Sequence, residues 1–146
     1  MRTLAFLLTA AALALPGVAA ALAYRSLNQV AVMYDSPSTK GKKLWVVRRG
    51  TPVEAIVTVD QWVKVRDASG AIAWVERKDL AATRTVIVTA ASTRVLQQAD
   101  AASPLAFSAA RDLVLDLVDK SSTGWVKVRH RDGATGYIKS TQVWGL

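Results

Sequence analysis

Three kinds of side chain in this sequence could do chemistry: one histidine, a spaced set of aspartates, and aromatic residues interleaved with cations. The histidine, His130, sits between Arg129 and Arg131 in a turn-like stretch. A nucleophile–base–carboxylate triad needs an imidazole oriented by a carboxylate beside a nucleophile, and two flanking cations supply neither. No second histidine and no cysteine exists to build a zinc site, a thiolate or a disulfide. Asp112, Asp116 and Asp119 have a spacing compatible with the paired carboxylates of glycoside hydrolysis. That chemistry needs a cleft, which small all-β units rarely form. No Gly-rich phosphate loop is present. The expectation is a chain with no catalytic residues, no metal ligands and no cofactor.

The aromatic residues and cations carry more information. Trp62-Val63-Lys64-Val65-Arg66 alternates as a half-buried strand does. If Val63 and Val65 face a core, Trp62, Lys64 and Arg66 face out. The same five residues recur as Trp125-Val126-Lys127-Val128-Arg129. Trp74 and Tyr137, on the strands that follow, join those outward faces. An aromatic face stacks on a sugar ring, and a neighbouring Lys or Arg pairs with a carboxylate. Peptidoglycan offers both groups. A structural role fits the same residues: a Trp at a strand start caps an open barrel end, and an aromatic cross-strand pair contributes about 0.2–1 kcal/mol.

The elements that position these groups come from a duplication. Beyond the identical pentapeptides, Gly70-Ala71 matches Gly133-Ala134, Trp74-Val75 matches Tyr137-Ile138, and Leu80 matches Val143. Upstream, Leu44–Val53 runs parallel to Leu105–Val114, and Trp45 falls opposite the Leu105 region. Short apolar runs alternate with turn chemistry: Val53–Val59 and Leu113–Val118 read as strands, and Asp132-Gly133 is a hairpin signal. The repeat argues for a strand in the Ala-rich Leu105–Ala110. Arg84–Thr89 is a further strand between the copies, with no Gly/Ser/Pro linker, which favours close packing of the two units. Trp144 reads as packing of the C-terminal strand on its own barrel or on the other unit.

Residues 1–23 have the layout of a secretory signal peptide. Arg2 precedes the apolar run Leu4–Leu15, Pro16-Gly17 breaks it, and Ala21-Leu22-Ala23 is a small-x-small cleavage site. An uncleaved anchor is the other reading, since Leu4–Ala23 is barely long enough to span a bilayer. The predicted organisation is a leader over 1–23 and two units over 24–83 and 84–146. The formal net charge of +8 falls to +7 without Arg2, with eighteen basic residues against eleven acidic ones. A basic balance suits anionic partners as well as simple solubility. The longest basic runs, Lys40–Lys43 and Arg48-Arg49, are too short for a nucleic-acid-binding tail.

The order Gly50-Thr51-Pro52-Val53, strand, Trp62–Arg66, a turn ending at Gly70, then Trp74-Val75 resembles the bacterial SH3-like family. The resemblance covers nearly the whole chain after the leader, as two domains. It implies an all-β fold of two tandem SH3-like barrels, each with five or six strands, and a non-catalytic binding role toward cell-wall polymer or an envelope protein. Val32-Met33-Tyr34-Asp35-Ser36 resembles the segment that opens the ligand groove in eukaryotic relatives, and Tyr34 and Asp35 match it closely. The matching Arg94–Gln98 lacks it. Where those relatives place a groove Pro and a groove Tyr, this chain has Glu76 and Asp79, and in the second unit Lys139 and Gln142. The aromatic floor for a polyproline helix is therefore largely missing. The candidate ligand residues are Tyr34, Trp62, Arg66, Trp74, Trp125, Arg129 and Tyr137. The expected location is the periplasm or cell envelope.

Overall fold

Alternating valines and closely spaced turns leave this chain little option but antiparallel pairing, and that is what its structure contains. The computed structural model describes residues 23–120 and 122–146. Of the leader expected over residues 1–23, residues 1–22 lie outside the described residues. The first sheet contains β1 (Ala23–Leu27), β2 (Ala31–Tyr34), β3 (Lys43–Val47), β4 (Pro52–Val59), β5 (Trp62–Arg66), β6 (Ile72–Glu76) and the short β7 (Leu80–Ala81). The second contains β8 (Thr85–Val88), β9 (Ser92–Leu96), β10 (Leu105–Ala110), β11 (Val114–Asp119), β12 (Trp125–Arg129), β13 (Thr135–Lys139) and β14 (Val143–Trp144). Their strand orders are equivalent: β3-β2-β6-β5-β4-β1-β7 and β10-β9-β13-β12-β11-β8-β14. The fold is thus two tandem SH3-like units, with seven strands each where five or six were expected. The surplus comes from the short β7 and β14, and from β1, whose Ala-Tyr-Arg-Ser-Leu sequence gives no clean alternation.

Each unit has its own core. Leu27, Met33, Val53, Val63, Val65 and Val75 fill the first, with Trp45 packed against it. Val86, Val95, Leu115, Val126, Val128 and Ile138 fill the second, with Phe107 in the position of Trp45. The inward valines of β5 and β12 are the ones the alternation predicts.

One expectation is corrected by the ladders. Glu54 pairs with Arg66 and Asp116 with Arg129, so residues 44–53 match 106–115, one position on from the sequence alignment. Gly50 then corresponds to Asp112, and both hold a left-handed backbone (φ +83° and +67°). Asp is one of the few residues that tolerates this geometry in place of Gly. Each β4-type strand also carries a bulge, one between Ala55 and Val57, the other between Leu117 and Asp119. The bulged residues Ile56 and Val118 turn outward, which explains two exposed apolar side chains.

The units meet along a seam. Tyr24 stacks edge-on against Trp144 with ring centroids 5.1 Å apart. The Arg84 guanidinium lies 5.3 Å from the Tyr24 ring and donates from Nη2 to the Gly145 carbonyl at 2.8 Å. Thr85 donates its hydroxyl to the Gly50 carbonyl across the seam at 2.6 Å; within the first unit, Ser26 donates to the Thr83 carbonyl at 2.8 Å. A Cβ at Gly145 would come within 2.8 Å of the Thr85 carbonyl oxygen and 3.2 Å of Pro52, so only glycine fits there. Burial pushes the Tyr24 phenol above its ordinary value; Glu54 beside it adds to the rise, and Arg84 and Arg66 oppose it.

Candidate functional site

The hairpin β5–β6 presents Trp62, Lys64 and Arg66 opposite Glu76, Trp74 and Ile72. The hairpin β12–β13 presents Trp125, Lys127 and Arg129 opposite Lys139, Tyr137 and Thr135. These outward side chains pair as cations over rings: Lys64 Nζ lies 5.8 Å from the Trp74 ring, Lys127 Nζ 6.0 Å from Tyr137, and Lys139 Nζ 5.9 Å from Trp125. The predicted aromatic–cation faces therefore exist in both units.

The remaining candidates divide. Tyr34 is 7% exposed, with its ring edge-on to Trp62 at 5.3 Å. It fills the space beneath Trp62 and offers a ligand little surface. Arg66 donates to the Glu54 carboxylate at 3.0 Å, and Arg129 to Asp116 at 3.3 Å. Both arginines lie four residues along the strand from their tryptophan, about 13 Å at strand spacing, so neither joins the tryptophan end of its hairpin.

At that end the two units diverge. In the second, Leu96 stands where Tyr34 stands in the first: Tyr34 pairs with Trp74, and Leu96 with Tyr137. The shorter side chain leaves a groove of about 310 Å³ beside Trp125. Thr93, Arg94, Leu96 and Ala101 form one wall, and Trp125, Lys139 and Gln142 the other. The lining holds two cations and no acid. The first unit has Val32, Glu76 and Asp79 at the positions of Arg94, Lys139 and Gln142. There Glu76 takes an ion pair from Lys78 at 2.9 Å, and the buried Asp79 accepts a hydrogen bond from the Gln29 amide. The sequence alone places Lys139 and Gln142 at groove positions but does not single out Arg94.

A larger hollow of about 580 Å³ lies where β1, β4 and β7 meet, bordered by Ala23, Arg25, Ile56 and Arg77, with no aromatic ring in its lining. His130 sits in the β12–β13 turn, its Nδ1 3.0 Å from Asp132. The Ala134 amide and His130 hold the Asp132 carboxyl below its ordinary value. Among the described residues, no cluster of three or more His, Asp or Glu side chains is arranged to hold a metal.

Two similar sheets, each displaying an aromatic–cation hairpin, define a tandem of small β units of the binding type. The family described as Bacterial SH3 domain matches residues 28–81 and again 91–145. The chain belongs to that family of binding domains. No curated protein matches it. Solved structures similar to it include NlpC2 from Trichomonas vaginalis (12% identity, TM-score 0.40, 85% of this chain and 48% of that one). Another is an NlpC/P60 family protein from Bacillus cereus (12% identity, TM-score 0.39, 83% and 55%). The chain thus spans about half the length of these structures.

Proposed function

We propose that this protein is an exported, non-catalytic binding module of the bacterial cell envelope, and that its ligand is peptidoglycan or another anionic wall polymer. The observation that carries the reading is the set of solvent-facing rings with lysines over them, in both units. A ring stacks on a sugar, and the neighbouring cation pairs with a carboxylate. The positive net charge adds long-range attraction to an acidic polymer. Residues 1–23 direct export and are removed, leaving units over 24–83 and 84–146. Tyr34, Trp62, Arg66, Trp74, Trp125, Arg129 and Tyr137 are the residues assigned to ligand contact or to its immediate support.

The test is co-sedimentation of the mature protein with purified peptidoglycan at low and high salt, alongside Trp62→Ala/Trp125→Ala. Salt-resistant pelleting that the double substitution abolishes is the expected result. Pelleting that salt removes and the substitutions leave unchanged would reduce the interaction to general charge attraction. A second reading, a scaffold for an envelope protein, draws on the seam, which presents the two units together. A specific protein crosslink without polymer binding would favour it.

A further inference from the structure

We infer that the charged end of the ligand docks in the second unit alone, in the groove beside Trp125, and that the group held there is a carboxylate. This rests on the wall-binding reading and narrows it to one groove and one chemistry. Four substitutions separate the matching ends of the two hairpins, and all act in the same direction. Leu96 in place of Tyr34 opens the floor beneath the tryptophan. Arg94 in place of Val32 and Lys139 in place of Glu76 turn the walls from acidic to cationic. Gln142 in place of Asp79 replaces an acceptor-only group with one that also donates.

Arg94 and Lys139 are exposed. Among the described residues, the ring against which they pack in the groove is Trp125, under Lys139. A guanidinium presents a planar fork matched to an oxyanion, Lys139 adds a point charge, and Gln142 adds an amide N–H. The Trp125 ring supplies an apolar wall for the body that bears the oxyanion, above a floor formed by the buried Leu96. In the first unit, Tyr34 occupies the floor, and Glu76, paired with Lys78, and Asp79 stand where the second unit has a cation and an amide. A wall polymer offers oxyanions of two sources, carboxylates on its peptides and phosphates on attached polymers.

The experiment is co-sedimentation of the full mature chain with three preparations of sacculi: untreated, with carboxylates converted to amides, and with phosphate polymers removed. Wild type is run beside Leu96→Tyr, which rebuilds the floor of the first unit, Lys139→Glu, and Glu76→Gln at the matching place in the first unit. Lys139→Glu puts a negative charge against the ligand and should weaken binding about tenfold or more. Leu96→Tyr should do the same by filling the groove, and Glu76→Gln should bind as wild type. Amidated sacculi should lose the protein, and phosphate-free sacculi should retain it. Wild-type binding that survives both Lys139→Glu and Leu96→Tyr overturns the groove while leaving wall binding standing. Binding lost with the phosphate polymers and kept after amidation overturns the carboxylate. Absence of wild-type binding to untreated sacculi overturns the wall-binding reading itself. Because Lys139 is exposed, its substitution reports on the groove even if Leu96→Tyr disturbs packing.

Discussion

The hairpins β5–β6 and β12–β13 share the pentapeptide Trp-Val-Lys-Val-Arg, yet they serve different surroundings. In the first, the strand's Trp leans on Tyr34 and its Arg neutralises Glu54, whose side chain is only 10% exposed. In the second, the same Trp borders an open groove, and the same Arg meets an aspartate that is half in water. The repeated residues build the scaffold, and the residues facing them decide what each copy can do. The first copy is closed and charge-balanced; the second is open and cationic.

The largest effects should come from the cores. Leu27→Ala and Leu115→Ala each remove a fully buried side chain, one per unit, at a cost of about 2–5 kcal/mol. With the seam intact, calorimetry should show one shared unfolding transition, lowered by either substitution. Two transitions, of which only the substituted unit's moves, would make the copies thermodynamically independent. Next in size is the contrast between the arginines. Arg66→Ala strands the buried Glu54 carboxylate and should cost about 1–3 kcal/mol, whereas Arg129→Ala breaks an exposed pair worth about 0–1 kcal/mol. Equal losses in chemical denaturation would erase the difference in burial on which the comparison rests.

A smaller effect should come from the seam. Trp144→Ala deletes an aromatic pair worth about 0.5–1.5 kcal/mol beyond its buried area, and it should split the shared transition. The same seam should weaken in alkali. The folded phenol of Tyr24 titrates above its ordinary value, so its contribution is complete below that value and disappears as pH rises through the raised one. Tyr24→Phe should remove this alkaline loss. The smallest effect is expected at the β12–β13 turn. The Asp132 carboxyl is held below its ordinary value, so its contribution is present above that value and fades as pH falls through the lowered one. Asp132→Asn should therefore lower the melting temperature near neutral pH and match wild type in acid. The first unit should show no counterpart at Ser69, because its turn is anchored from Asp67, which accepts hydrogen bonds from Ser69 and Ala71.

The strands carrying the repeat were legible because a period of two with valine on one face admits a single orientation. The register upstream was not. A left-handed residue and a bulge each move the count by an amount that composition does not reveal, and Gly50 and Asp112 look unrelated until their backbones coincide. β1 is not legible in the sequence because Tyr24 and Ser26 are polar-edged residues that the fold buries, Tyr24 against Trp144 from the far end of the chain and Ser26 on the Thr83 carbonyl. The groove was half legible. The sequence places Glu76, Asp79, Lys139 and Gln142 at groove positions, and Arg94–Gln98 diverges from the Tyr34 segment. Its meaning was hidden because a Leu in place of a Tyr reads as loss of an aromatic contact. Only the packing around Trp125 makes it a vacated volume.

Tyr24 and Trp144 stand 120 positions apart, yet they touch. Each sheet is drawn from one continuous stretch of chain, so each can form from contacts over a span of about 60 residues, and the ring pair can form only after both. The entropy of closing a loop rises with the logarithm of its length, so the extra distance adds little to the equilibrium cost, and it places the contact late in time. Refolding should end with a docking step in which two preformed sheets meet and Tyr24 passes from water to shelter. Until that step is complete, Tyr24 lies bare in β1, the first strand of the described residues.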